Sequence, residues 1–346
     1  MRKKLRKTDE ARAYALLERL DVAYLAAQDP SGGMVVRALH PVIQGDWVLF
    51  HGAHAGEKSS CRGPAILTGH RTIAEIPSYF VDPELACPAT TYYESVEARG
   101  QLEDIEDVAL KDAMLEALMR KYQPEAGYLP IDSRTKLYAK QVRATRIFGF
   151  RIEKITGKLS AGQDRPAERV EKVIRGLFRR GAPGDLQAIE EVLSWSPAAR
   201  PDFLRHSFGE FCVACTPELA AAHARLLEGA YWRKSSTPDE IARAALASSA
   251  WVGLMSAEGD LLGAARATTD KVWAGMVSDV IVHPNYRGKG IGTALMQLLL
   301  EHPAVREVKR LRLGTADQTA FYRRFGFKAP AETPLPFPST EMVLAR

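Results

Sequence analysis

The stretch Met276-Val-Ser-Asp-Val-Ile-Val282, continued by His283-Pro-Asn-Tyr286 and Arg287-Gly-Lys-Gly-Ile-Gly-Thr293, decides how the second half of this chain is read. Its Val/Ile-rich start predicts a strand, the glycines a turn, and the apolar run to Leu300 a helix. A strand that enters a glycine turn and opens a helix offers successive backbone N–H groups and a positive helix end to an anion. Gly288, Gly290 and Gly292 carry no Cβ to hold that anion off, and Arg287 and Lys289 add charge-assisted contacts. A Walker loop would require Lys-Ser or Lys-Thr, which does not follow here. A dinucleotide fingerprint would require a third glycine where Thr293 or Leu295 stands. Both are excluded.

Downstream, Leu311-Arg-Leu-Gly-Thr315 reads as a strand and Ala320-Phe-Tyr-Arg-Arg-Phe-Gly-Phe327 as a helix stopped by Gly326. Phe321 and Phe325, four apart, predict one buried face, with Tyr322 off that stripe. The glycine turn and this late strand and helix together resemble the GNAT N-acetyltransferase superfamily. The resemblance implies that Arg287, Gly288, Lys289, Gly290, Ile291, Gly292 and Thr293 hold the pyrophosphate of acetyl-CoA. It also implies that backbone N–H groups around Val280, Ile281 and Val282 pair with the pantetheine arm and stabilise the oxyanion. Tyr322 would protonate the departing thiolate, as a phenol with pKa of about 10 can at neutral pH. Asp279 is a base candidate by proximity alone. The segment Tyr231-Trp-Arg-Lys-Ser-Ser236 falls in the variable acceptor-binding part of that fold, so the acceptor is expected to be a small-molecule amine without further definition.

In the first half, a helix over residues 11–20 is followed by strands near 22–27, 34–40, 47–51, 65–76 and 91–102. A helix from Val108 to Tyr122 and a last strand from Leu137 to Glu153 complete it. Many short strands with few helices predict a small antiparallel barrel. The strand ending at Phe50 runs into His51-Gly-Ala-His-Ala-Gly-Glu-Lys58, where two glycines, two histidines and a lysine could seat a phosphate and a ring. With Val35-Val-Arg-Ala-Leu-His40 before it and Tyr92-Tyr-Glu-Ser-Val-Glu-Ala-Arg-Gly100 after it, this half resembles the FMN-binding split barrels related to pyridoxamine 5′-phosphate oxidase, above all the nitroimidazole-resistance branch. By that resemblance Lys58 and Arg37 hold the FMN phosphate, and His51, Gly52, Ala53 and His54 line the flavin. Ser95 would come from a facing strand, in a homodimer whose flavin lies at the subunit interface. The oxidase's C-terminal Trp/Arg substrate motif is missing, so oxidation of pyridoxamine phosphate is not expected.

The chain has 346 residues, and 47 Lys+Arg against 42 Asp+Glu leave a net charge of +5. At about 150 residues per domain this length predicts two domains. The boundaries expected are a flavin barrel over 1–160, a helical connector over 161–208 and an α+β, mixed-sheet acetyltransferase over 209–346. Strands and helices alternate in that last part, closing with a strand near Met342 to Leu344. The basic run Arg2 to Lys7 is short and has no interleaved aromatics, so no nucleic-acid partner is expected. No apolar run reaches the roughly 18–20 residues of a membrane span, and no apolar segment of a signal peptide follows the basic start. Four cysteines are too few for a disulfide framework and point to a reducing cytoplasm. Cys212 and Cys215 form a C-x-x-C read as strand packing rather than a metal site. The expected activity is therefore a bifunctional one, amine acetylation plus a flavin-dependent redox step. The alternative makes the barrel a non-catalytic dimerisation module or a flavin or haem sensor.

Overall fold

The computed structural model describes residues 4–52 and 60–333. The chain divides into two units, Met1–Arg205 and His206–Arg346. In the first, β1 (Lys7–Thr8) and α1 (Glu10–Arg19) precede β2 (Ala23–Gln28), β3 (Met34–Leu39), β4 (Val42–Gln44) and β5 (Trp47–Gly52). Two long strands follow, β6 (Gly63–Ile76) and β7 (Thr90–Asp104), then α2 (Val108–Tyr122), α3 (Ala139–Ala144) and β8 (Arg146–Ser160). The sheet runs β3-β2-β6-β7-β8-β5-β4 with all pairings antiparallel. It curls without closing, because β3 at one end and β5 near the other send Val35, Leu39, Val48 and Phe50 into one core with Leu16 and Leu17 of α1. That is the expected split barrel.

The last strand starts later than expected. Residues 139–144, rich in the helix formers Ala, Lys, Gln and Arg, make the short α3, and β8 begins only at Arg146. β8 also runs seven residues past Glu153. It passes Gly157, where a Cβ would lie 2.0 Å from Thr8 Oγ1, so that glycine is what lets β1 close on the sheet.

The segment expected to be a connector is two packed helices, α4 (Ala167–Arg180) and α5 (Asp185–Trp195), inside the first unit. Val173, Ile174, Leu177, Ile189 and Val192 are buried, and Gly176 lets Phe80 approach where a Cβ would stand 2.3 Å from the ring. Charge ties α5 down as well. Glu94, on the core face of β7 and 1% exposed, accepts from Arg12 of α1 and from Arg71 of β6 at 2.8 Å. Arg71 also reaches Glu191 of α5 at 2.5 Å.

In the second unit β9 (Arg205–His206), β10 (Gly209–Cys212), α6 (Pro217–Leu226) and α7 (Pro238–Leu246) precede the antiparallel strands β11 (Ala250–Met255), β12 (Leu261–Thr269) and β13 (Ala274–Val282). Then come α8 (Ile291–Leu300), β14 (Arg310–Arg312) and α9 (Thr319–Arg323). β14 pairs with β13 in parallel, which makes the sheet mixed as expected. β10 stops at Cys212, so Cys215 lies beyond the strand; both thiols are half-buried against the Trp251 cluster. The strand expected near Met342 lies outside the described residues.

A buried carboxylate that neutralises two arginines is costly to remove, because the cations stay behind. Glu94→Ala should destabilise the first unit by about 3 kcal/mol or more, read as a lower urea midpoint. A midpoint equal to that of the parent would mean that the ion cluster does not hold α5 to the barrel.

Candidate functional sites

The sequence 287–293 builds an amide cradle. Gly288 and Gly290 sit at φ +75° and +85°, a left-handed backbone that glycine adopts without strain, and nothing lies within 4 Å of where their Cβ atoms would be. Gly292 has ordinary backbone and faces Phe321 and Val282 at 3.5 and 3.6 Å, so packing rather than conformation explains it. Arg287 N–H bonds back to Pro284 O, and the first amide of α8 to find a helical acceptor is Ala294, on Gly290 O. Between them, the N–H groups of Gly288, Lys289, Gly290, Ile291, Gly292 and Thr293 donate to no other described residue. Arg287 is anchored on Val282 O at 3.2 Å, and Lys289 lies over the Phe208 and Tyr286 rings. The cradle is therefore mainly backbone.

Beside it the sheet splits. β14 pairs only with Ala274 to Met276, so the β14 side of β13 from Val277 to Val282 has no strand partner among the described residues. Opposite, the β12 register shifts between Ala264 and Arg266, and Asp279 takes a left-handed φ of +52°. This bulge turns Val280, Ile281 and Val282 relative to the strand before it. The Asp279 side chain points away from any proton-transfer role. Its Oδ1 accepts from Arg233 Nε at 2.7 Å and Trp232 Nε1 at 3.2 Å. Its Oδ2 accepts from Arg233 at 2.7 Å and Arg266 Nε at 2.6 Å. Burial alone would raise this carboxyl, but the Arg233 and Arg266 guanidinium groups outweigh it and hold the pKa below the usual value. Asp279 is thus removed from the base candidates.

Behind the bulge, buried His223 accepts from Trp251 Nε1 through Nδ1 at 3.1 Å, so Nε2 carries the hydrogen and donates to Asp279 O at 3.0 Å. Burial pushes its pKa down to about 4 and keeps it neutral. Sequence reading missed this support. An apolar helix with one histidine gave no signal.

Tyr322, on α9, is half-buried, and its hydroxyl makes no hydrogen bond to another described residue. Its pKa is raised by burial, with smaller contributions from Tyr231 and Asp317, so the hydroxyl stays protonated. Phe321 sets α9 against the start of α8, while Phe321 and Phe325 are half-buried like Tyr322 rather than fully sunk into the sheet. Tyr231 accepts from Ala316 N at 2.9 Å, which ties the segment before α7 to the segment before α9.

In the first unit Arg37 and Ser95, both expected at the flavin, do not converge within one chain. Arg37 lies on the row of β3 that runs through Leu25, Leu67 and Ala98, the core-facing row, although its own side chain is exposed. Its charge acts on buried Cys61. Ser95 faces the other way, paired with His70 and Lys158 on the outer face. There it lines a groove of about 520 Å³ with Tyr24, Thr68, His70 and Tyr93, a size that suits an organic ring. Lys158 contacts Tyr93 and adds a cation to this face that the sequence reading left out. His51 and Gly52 end β5, and Ala53, His54 and Lys58 lie outside the described residues.

Comparison with known proteins finds two families, one in each unit. Residues 9–159 match the pyridoxamine 5′-phosphate oxidase family, and residues 219–327 match the acetyltransferase (GNAT) family. The histone acetyltransferase TAP1 of Glycine max is 38% identical over 73 residues, 21% of this chain and 32% of that protein. The chain thus spans about a third of the length of that curated relative. A solved protein of Bacteroides thetaiotaomicron assigned to 5-nitroimidazole antibiotic resistance is 19% identical and covers 43% of this chain and 83% of its own, with a TM-score of 0.33. A GNAT-family protein of Xanthomonas campestris is 25% identical over 38% of this chain and 96% of its own, with a TM-score of 0.32. No helix among the described residues is long and apolar enough to cross a membrane.

The two glycine types separate experimentally. Gly290→Ala forces a side chain into left-handed backbone and places a Cβ in the cradle, so coenzyme A affinity should fall by about tenfold or more. Gly292→Ala, in ordinary backbone, should change it by less than about threefold. Equal losses in a calorimetric titration would contradict the assignment of the cradle to these amides.

Proposed function

We propose that this chain, in which a pyridoxamine 5′-phosphate oxidase-like barrel precedes a GNAT domain, is a bifunctional enzyme. Its second unit transfers acetyl from acetyl-CoA to a small-molecule amine, and its first binds FMN for a redox step on a small molecule. The single observation that carries the first activity is the run of six amides from Gly288 to Thr293 without a partner among the described residues, opening on the edge of β13 that no described strand pairs. Pyrophosphate oxygens satisfy such amides and the positive end of α8. The arm beyond the pyrophosphate extends along Val280 to Val282 as an added strand.

Transfer then needs little from side chains. The deprotonated amine attacks the thioester carbonyl, and a backbone N–H of the bulged segment faces the oxyanion as it forms. As the C–S bond breaks, the Tyr322 hydroxyl gives its proton to sulfur and coenzyme A leaves as the thiol, while the proton lost by the newly acetylated nitrogen passes through water to restore the phenol. The raised pKa of Tyr322 supports this role, because the proton is still in place at neutral pH. Tyr231 to Arg233, fixed against Asp279, form the wall against which the amine is presented. In the full-length protein, Tyr322→Phe should lower kcat for acetyl transfer by about a hundredfold and leave the Kd for coenzyme A within about twofold. Unchanged turnover would take Tyr322 out of the mechanism.

For the first unit, FMN when bound supplies hydride or electron transfer. Lys58 and Arg37 hold its phosphate, and His51 to His54 line the ring. Ser95, His70, Tyr93 and Lys158 on the outer groove belong to the facing subunit of a homodimer. Two observations support this arrangement: Arg37 and Ser95 occupy opposite faces of one sheet, and Tyr24, Met34 and Val36 leave an apolar outer face exposed. The purified protein should be yellow and bleach on addition of a nicotinamide reductant, and Lys58→Ala should release flavin on desalting. A colourless parent protein with no extractable flavin would favour the non-catalytic module instead.

A further inference from the structure

The first unit contains a second polar cavity, of about 100 Å³, between the core face of β7, the loop after Val81 and the start of α4. Neither family match reaches α4, which follows the barrel in sequence. Three guanidinium groups line the cavity: Arg6, Arg165 and Arg169. Arg6 is neutralised by Asp164, with contacts of 2.9 to 3.2 Å. Arg165 and Arg169 have no ion-pair partner among the described residues, yet both act on the Tyr92 phenol through space. Tyr92 is 6% exposed, lines the cavity, and its hydroxyl makes no hydrogen bond to any described residue. Ser160, 3% exposed, lines it as well and its side chain is equally unpaired. Both hydroxyl oxygens open into the cavity rather than being sealed in the core, so this wall offers donors to a ligand that accepts hydrogen bonds.

We infer that this cavity binds a small tetrahedral oxyanion of the phosphate type. Arg165, exposed at the rim, and half-buried Arg169 supply positive charge to a dianion, and the Tyr92 and Ser160 hydroxyls supply neutral donors to its oxygens. The positive end of the 14-residue α4, whose N-cap Pro166 contributes no side-chain bond, stands at the same rim. The volume is enough for one phosphate group. Gly162 keeps the cavity open: at its φ of +86° a Cβ would come within 2.6 Å of the Tyr92 hydroxyl oxygen. This is not the expected flavin phosphate seat. Tyr92 pairs with Ala74 near one end of β6, whereas Gly63, at the other end, is the residue nearest in sequence to the glycine loop.

Cys87 is exposed and lines the same cavity, so it reports occupancy locally. Alkylation of the full chain by iodoacetamide, followed peptide by peptide by mass spectrometry, should slow at Cys87 when inorganic phosphate replaces chloride at equal ionic strength. At four times its Kd, phosphate should slow the reaction about fivefold, leaving Cys212 and Cys215 unaffected. The Arg165→Ala/Arg169→Ala double variant, altered only at side chains on the rim, should lose this protection, and Tyr92→Phe should weaken it. Glycerol 3-phosphate acting at lower concentration than phosphate would identify the occupant as the terminal group of a metabolite. Protection by inorganic phosphate alone would identify the free ion. No phosphate-specific protection, protection that survives in the double variant, or acetate acting as well as phosphate would each overturn the inference.

Discussion

A backbone amide has to find an acceptor, and residues 288 to 293 carry six in succession that find none among the described residues. Everything distinctive about the second unit follows from that debt. Left-handed Gly288 and Gly290 aim the amides outward, Phe321 fixes the first turn of α8 against α9, and the parting of β14 from β13 leaves room for a ligand to run on as a strand. The two flanking cations contribute less than their charge implies, because Arg287 is tied to Val282 O and Lys289 rests on aromatic rings. What this turn offers a ligand is mainly main chain.

That explains why this part was legible in the sequence. Alternating glycines between a Val/Ile strand and an apolar helix leave few backbone paths, and the helix expected from 291 is present to within one residue of its end. Helix α2 was equally readable, with its bounds at Val108 and Tyr122, because Asp107 caps it and its apolar face is periodic. The reading failed where tertiary contacts overrode local pattern. The last strand was expected over Leu137 to Glu153, whereas β8 runs on to Ser160, with Gly157 kept in the strand to admit Thr8. The connector became part of the barrel unit through Glu191, whose partners Arg12 and Arg71 lie far away in sequence.

The sites show the same division. Amide groups presented by a motif could be named in advance, whereas clusters assembled from distant segments could not. Asp279 was picked out by position, yet its role is set by Arg233, 46 residues earlier, and Arg266 on the next strand. Ser95 and Arg37 were both named, but only the sheet's register reveals that they face opposite ways.

The carboxylate of Asp279 binds its strand to the segment from Trp232 to Arg233, and in the proposed transfer both ends of that link border the acceptor. Exchange of this segment for one with different side chains, the ordinary route by which an enzyme lineage acquires a new acceptor, would strip two or three donors from a buried anion. Selectivity and backbone shape are therefore inherited together here. A new acceptor loop is viable only if it carries its own cation to the same spot, or arrives with a neutral residue at 279.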